Sequence, residues 1–363
     1  MADSQQLFTE FTLNNGVRVP SRLAVAPITL YSSNPDGSVS DAEREFLKGR
    51  AEGVGLYILG ATLVHDSGQG FPGQPRAIRL SDLEALKERA RIVKEQGALA
   101  ICQIHHAGIL GLRQFLPEAR VVGPSDDTMT GAEEMSSSQA KAIIRGFAFA
   151  TKLCIDAGFD GVEIHGANRY LLQQFFSAKT NRRNDKWGGS LKKRMRFPLS
   201  VVDAVLAARD EYGSKDFIVG YRLSPEEPDE NGITMAETAE LIAKLIKRPL
   251  QYIHVSQKDF EKNARRGADR TKTRLELIRE QVGNTMAVIG LGDLFTGPQF
   301  EKALATGWVD FVGTARAIMM NPELARLIRE GKDAEIEKVY DPEKAKAYRL
   351  PPVLYPRLPG FYE

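Results

Sequence analysis

A chain of 363 residues, 42% of them hydrophobic, can bury a large core, and a (β/α)8 barrel of this length is ordinary. Its 49 basic and 47 acidic side chains leave a formal net charge of +2, so nothing electrostatic points to nucleic acid or an anionic membrane as partner. Two cysteines cannot supply the four thiolates of an iron–sulfur cluster, and no segment approaches the roughly 20 apolar residues of a membrane span.

The N-terminal residues lack a basic patch followed by an apolar run, so no signal peptide is expected and the cytoplasm is the expected compartment. In FTLNNGVRVPSR (11–22), Asn15-Gly16 between alternating residues predicts a hairpin closing a barrel floor. Strand-like apolar runs then alternate with helical patterns. RLAVAP (22–27) precedes a helix near 41–52, GLYILGA (55–61) one near 82–96, and ALAICQIHH (98–106) one near 138–157. GFDGVEIH (158–165) comes fourth, with its helix at about 191–211. FIVGYRLS (217–224), QYIHVS (251–256), AVIGLG (287–292) and DFVGTA (310–315) follow, with helices near 235–246, 271–282, 297–306 and 322–331. Near-continuous apolar strands imply a sheet buried on both faces, hence parallel. Eight β–α units argue for a single (β/α)8 TIM-barrel domain over 1–363 rather than an open sheet. The Gly-, Pro- and Ser-rich stretch 107–137 reads as functional cover, and the tail 341–363, with five prolines and three tyrosines, as an extended, docked arm. Cys102, in a strand pattern, and Cys154, in a helical one, are expected to be buried free thiols.

In such a barrel the chemistry sits at the C-terminal ends of the strands. Pro27, Thr29 and Tyr31 follow the first strand, Ala61 ends the second, Gln103, His105 and His106 end the third, and Arg222 ends the fifth. The fourth delivers His165, then Asn168 and Tyr170. An imidazole and an amide can donate to one oxygen while a phenol delivers a proton nearby, a set suited to polarising a carbonyl and protonating an adjacent carbon. Gly290, Gly292 and Gly313 with Arg316 at the last two strand ends form the pattern of a phosphate site. His105 and His106 point to opposite faces of a strand, so a structural role is expected for at least one and no metal centre is expected.

HGANRYLLQQFFS followed by TNRRNDKWGGSLKKRMRF resembles the signature of the Old Yellow Enzyme family of FMN-dependent ene-reductases. RLAVAPITLY, GFPGQP (70–75), CQIHHAG (102–108) and VGTARAIMMNP (312–322) match in order, from about residue 8 to the end of the barrel. The resemblance implies that Pro27, Thr29 and Ala61 line the flavin ring and that Gln103 binds its pyrimidine edge. Arg222 faces N1 and the C2 carbonyl, and Gly292, Ala315 and Arg316 hold the phosphate. His165 and Asn168 polarise a substrate carbonyl, Tyr170 protonates the α-carbon after flavin N5 gives hydride to the β-carbon, and Tyr31 adds a substrate contact. NADH or NADPH is the implied hydride donor and a small unsaturated carbonyl compound the implied substrate. A homodimer or higher oligomer is compatible with the family, in one branch of which an arginine placed like Arg357 reaches a neighbour's site. The alternatives are a flavin or quinone reductase or oxidase on the same FMN barrel, and a flavin-free lyase or binding barrel.

Several positions depart from the pattern. Arg169 stands where relatives have glycine, and the expectation is an ordinary backbone with Arg169 pointing outward. Thr29 replaces a cysteine of one branch, Trp187 a tyrosine, and GLGDL (290–294) is less glycine-rich than usual. Asn181, Arg183 and Arg194 read as loop-fixing groups, and the basic run 258–270, with Arg265, Arg266 and Arg270, as a solvated loop rather than a dinucleotide site.

Overall fold

In the computed structural model, which describes residues 6–358, eight parallel strands close into a barrel. They are β1 (Leu23–Val25), β2 (Leu56–Leu63), β3 (Leu99–His105), β4 (Gly161–Gly166), β5 (Ile218–Leu223), β6 (Tyr252–Val255), β7 (Ala287–Gly290) and β8 (Phe311–Thr314). Each pairs with its neighbour in chain order, and β8 returns to β1. Between them run α1 (Asp41–Leu47), α2 (Leu83–Lys94), α3 (Ser137–Asp156), α4 (Arg196–Tyr212), α5 (Met235–Leu245), α6 (Arg274–Val282) and α7 (Gly297–Ala305). Ser40, Ser136, Thr234 and Thr273 cap α1, α3, α5 and α6 by accepting from the backbone N–H three residues on.

The two-residue period of the strands sorts the barrel into levels. Ala100, Cys102, Ile104, Val162 and Ile164 belong to the outer core against the helices. Ile101, Ile218, Tyr252, Ala287, Ile289 and Phe311 fill the barrel floor with Leu13 and Val19. The expected hairpin is present: Phe11 pairs with Val19, and the Phe11 ring meets Phe311 edge-on at 5.1 Å. Above the floor the inward positions turn polar. Gln103, Glu163 and His254 form a middle level, and His105, His165 and Arg222 the top.

Other outcomes differ from expectation. A short helix, Leu171–Phe176, follows β4 at once, and another, Arg316–Met320, follows β8 ahead of the expected last helix, which is found at Leu324–Arg329. The tail is docked through Ala345, Tyr348, Leu350, Leu354 and Leu358, but it coils in short 3-10 turns because its prolines open turns instead of extending the chain. Residues 359–363 lie outside the described set. A buried ion pair, Arg89 Nε to Glu43 Oε1 at 2.7 Å, also reaches Ser33 and Gly37. It pins the loop between β1 and α1 that carries Thr29 and Tyr31. No helix among the described residues is long and apolar enough to cross a membrane.

Candidate active site

A cavity of about 680 Å³ opens at the C-terminal end of the barrel. It is lined by the residues to which the sequence assigned catalytic, substrate or cofactor roles: Pro27, Thr29, Tyr31, Ala61, Gln103, His165, Asn168, Tyr170, Arg222, Gly292, Ala315 and Arg316, but not by His105, His106 or Gly290. Ala61 reaches it through an irregularity in β2, where the register with β3 shifts between Leu59 and Thr62. No residue of 107–137 lines the cavity, so that stretch does not cover it. It is tied instead to the segment after β4, where Arg183 donates to the Pro124 and Met135 carbonyls.

The chain leaves β4 through two consecutive left-handed residues, Asn168 at φ +58° and Arg169 at φ +66°. Asparagine tolerates this conformation, but arginine does not favour it. The ordinary backbone expected at Arg169 is therefore corrected. In this bend the Asn168 N–H donates to Ser224 Oγ at 2.9 Å and the Arg169 N–H to Gln173 Oε1 at 3.0 Å. Arg169→Gly is expected to stabilise the protein by about 1 kcal/mol, less what is lost with a long, exposed ion pair to Asp229. Urea titration of the two proteins checks this.

Ser256 Oγ donates to Asn168 Oδ1 at 2.7 Å, which turns the amide nitrogen toward His165 Nε2, 3.4 Å away. His165 and His105 meet through their Nδ1 atoms at 3.0 Å. The Tyr170 ring stands edge-on to His105 at 4.4 Å and lies 5.1 Å from His165. Burial holds His165 well below the usual imidazole range, with His105 and Arg222 adding to the effect. Burial lowers His105 to about 3. Both rings are neutral at pH 7, with burial rather than Arg222 as the leading cause for His165. Burial also raises the Tyr170 phenol above its ordinary range, so it keeps its proton.

Beneath this set lies a cluster the sequence reading did not assign. Gln103 Nε2 donates to Glu163 Oε1 at 2.7 Å, and His254 Nδ1 to Glu163 Oε2 at 2.8 Å. Burial opposes the Glu163 charge, but His254, Arg222 and the Gln103 amide outweigh it and hold the carboxyl below its ordinary range. An ionised carboxylate only accepts, so Gln103 turns its nitrogen to Glu163 and its oxygen away. Glu163 lies two residues before His165, and on one strand that spacing means one face; this was the available signal. Ser256, Gln257, Lys258, Leu354 and Leu358 were missed too. Ser256 orients Asn168, and the other four line the cavity.

The cavity suits a flavin by its own chemistry. Arg222 Nε and Thr314 Oγ1 are buried polar atoms on its wall with no hydrogen-bond partner among the described residues. Glu226 and Glu227, the other conceivable partners of Arg222, are engaged elsewhere, with Arg274 and with Gln173, Ser177 and Ile233. At Gly60 a Cβ would strike Pro27 at 2.3 Å, and at Gly292, φ +149°, it would strike the Phe260 backbone at 2.3 Å. Both positions are held by glycine because the wall runs too close for a side chain. Asp293 forms an ion pair with Arg316 at the end of the cavity near Gly292.

Arg357 sits over the Tyr31 ring of its own chain, 4.8 Å from the centroid, and lines the same cavity with Leu354 and Leu358. Arg265, Arg266 and Arg270 do not line it; Arg266 donates to the Glu227 and Gly232 carbonyls. Asn181 and Arg194 fix loops as expected, donating to the Phe175 and Trp187 carbonyls and to the Phe176 carbonyl.

Comparison with known proteins gives the family. The NADH:flavin oxidoreductase / NADH oxidase family matches residues 6–335. A probable NADH-dependent flavin oxidoreductase of Bacillus subtilis (strain 168) is 42% identical over 352 residues, 96% of this chain and 94% of that one. The NADH:acrylate oxidoreductase of Vibrio harveyi is 33% identical over 96% of this chain, which spans only 35% of that protein. The structure of morphinone reductase in complex with tetrahydroNAD superposes with a TM-score of 0.77 at 26% identity, covering 91% of this chain and 92% of that one. This chain therefore belongs to the NADH:flavin oxidoreductase / NADH oxidase family, as an oxidoreductase that uses FMN with NAD(P)H.

Proposed function

We propose that the protein reduces the activated C=C bond of α,β-unsaturated carbonyl compounds with hydride taken from NADH or NADPH. The observation that carries this is the meeting, in one cavity, of two neutral donors and a protonated phenol, at His165, Asn168 and Tyr170. FMN, bound by Pro27, Thr29, Ala61, Gln103 and Arg222 at its ring and by Gly292, Ala315 and Arg316 at its phosphate, supplies the hydride.

His165 Nε2 and Asn168 Nδ2 donate to the substrate carbonyl oxygen, where negative charge grows as hydride reaches the β-carbon. One preorganised donor of this kind is worth roughly 3 to 4 kcal/mol. Tyr170 delivers its proton to the α-carbon, completing addition of hydride and proton across the double bond. Tyr31, with Arg357 above it, walls the substrate side. Arg222 would lie against the ring of a bound FMN, where its guanidinium would favour the negative charge gained on reduction. The names of relatives support a reductive role: the 12-oxophytodienoate reductase 2 of Arabidopsis thaliana is 32% identical over 87% of this chain.

Anaerobic stopped-flow absorbance of the FMN-loaded protein tests the proposal. NADH or NADPH should bleach the flavin band and cyclohexenone should restore it. Recovery with quinone or oxygen but not with the enone would move the assignment to a flavin-dependent reductase or oxidase.

A further inference from the structure

The 3.0 Å contact between His105 Nδ1 and His165 Nδ1 poses a choice of tautomers. Both rings are neutral, so one proton lies between the two nitrogens: one ring donates and the other accepts. Suppose His165 donates. Its Nε2 then carries a lone pair, met by the Asn168 amide 3.4 Å away, and His105 buries an N–H at Nε2, an atom with no hydrogen-bond partner among the described residues. Suppose instead that His105 donates. The unpartnered atom is then a bare lone pair, and His165 keeps an N–H at Nε2. A buried N–H without an acceptor is the rarer and costlier defect, so the second arrangement is favoured.

Asn168 bears on the same nitrogen. Ser256 fixes the amide oxygen and so aims Nδ2 to the same side as His165 Nε2, 3.4 Å away. At that spacing the amide N–H can donate to a bare Nε2, whereas a protonated Nε2 makes the two groups neighbouring donors that share one incoming oxygen; the shorter Nδ1–Nδ1 contact and the buried His105 Nε2 favour the second. The Tyr170 ring against His105 at 4.4 Å restrains the imidazole from the other side.

We propose that His105 is a positioning residue for carbonyl activation: its Nδ1–H holds His165 in the Nε2–H tautomer, so that His165 and Asn168 both donate into the cavity before substrate arrives. This rests on the reaction proposed above and assigns a chemical role to a histidine otherwise read as packing.

Nitrogen NMR of the FMN-loaded protein labelled in its five histidines reads the tautomers directly, with His105→Asn and His165→Asn proteins giving the assignments. His165 protonated at Nε2 and bare at Nδ1 is expected; His165 protonated at Nδ1 would overturn the proposal. In kinetics, His105→Leu should lower the ratio of the cyclohexenone to the ferricyanide reoxidation rate by about 10- to 100-fold, as loss of an orienting partner does elsewhere. His105→Asn, which keeps an N–H near the lost nitrogen, should recover most of that ratio. A ratio unchanged in His105→Leu would refute the role. If the native protein is not reoxidised by enone at all, the proposed reaction fails, and the tautomer measurement still decides the state of His165.

Discussion

A Tyr170→Phe protein is expected to bind FMN and to be reduced by NADH at the native rate, yet to reduce an enone about 100- to 10,000-fold more slowly. Phenylalanine keeps the ring that packs against His105 and His165 and removes only the hydroxyl. The cavity keeps its shape, and the loss falls on the protonation step. Burial moves the phenol above its ordinary value of 10.0, so the acid form is present throughout the neutral range. The native oxidative half-reaction should therefore be flat through neutral pH and decline only above that value. His165 should add no limb near pH 6.5, because burial keeps it neutral there. Separate measurement of the two half-reactions by anaerobic stopped flow checks all of this. An undiminished enone rate in Tyr170→Phe would mean that the proton comes from water.

The second large effect concerns acid. His105, His106, His165 and His254 are buried and all held below their ordinary value of 6.5, with burial as the leading cause. Below 6.5 the unfolded chain takes up protons on these rings and the folded protein does not. Stability is therefore at its plateau above that value and falls as the pH drops toward the folded-state values. Each ring contributes a slope of about 1.4 kcal/mol per pH unit, and four together up to about 5 kcal/mol per unit. Urea midpoints measured from pH 8 downward should hold steady to about 7 and fall steeply below about 6. Midpoints unchanged down to pH 5 would show that the rings are charged in the fold without penalty.

The barrel was legible because its strands are short and largely apolar on both faces, and eight β–α units in succession favour a closed parallel sheet over an open one. Most of the cavity wall was legible because chemistry in this architecture collects at strand ends, and His165, Asn168 and Tyr170 come from one of them. What escaped was what closure alone creates. Gln103 and Glu163 are 60 residues apart and meet only because β3 and β4 are neighbours. His105 and His165 are brought together by the same pairing. Seen alone, His105 was one of two adjacent histidines, and neither could be assigned a partner. The left-handed Arg169 was legible only as a departure from glycine. The bend there is held in part by Ser224, which accepts from the Asn168 N–H from a segment 56 residues away in sequence. Leu354 and Leu358 entered the cavity wall through docking of the tail, which no periodicity announces.

The two cysteines give the protein a built-in clock. Cys102 lies on β3 directly before Gln103, and Cys154 lies on α3; each is at most 1% exposed. Burial raises the Cys154 thiol well above its ordinary range, leaving little thiolate to react. A thiol reagent can reach either sulfur only when the strand and its covering helix part, so the labelling rate counts those openings. Because Gln103 follows Cys102 in the chain, any molecule that grips Gln103 should slow the clock. Ligand binding at the catalytic face can thus be timed from the opposite side of the sheet, in the unmutated protein and without a coloured substrate.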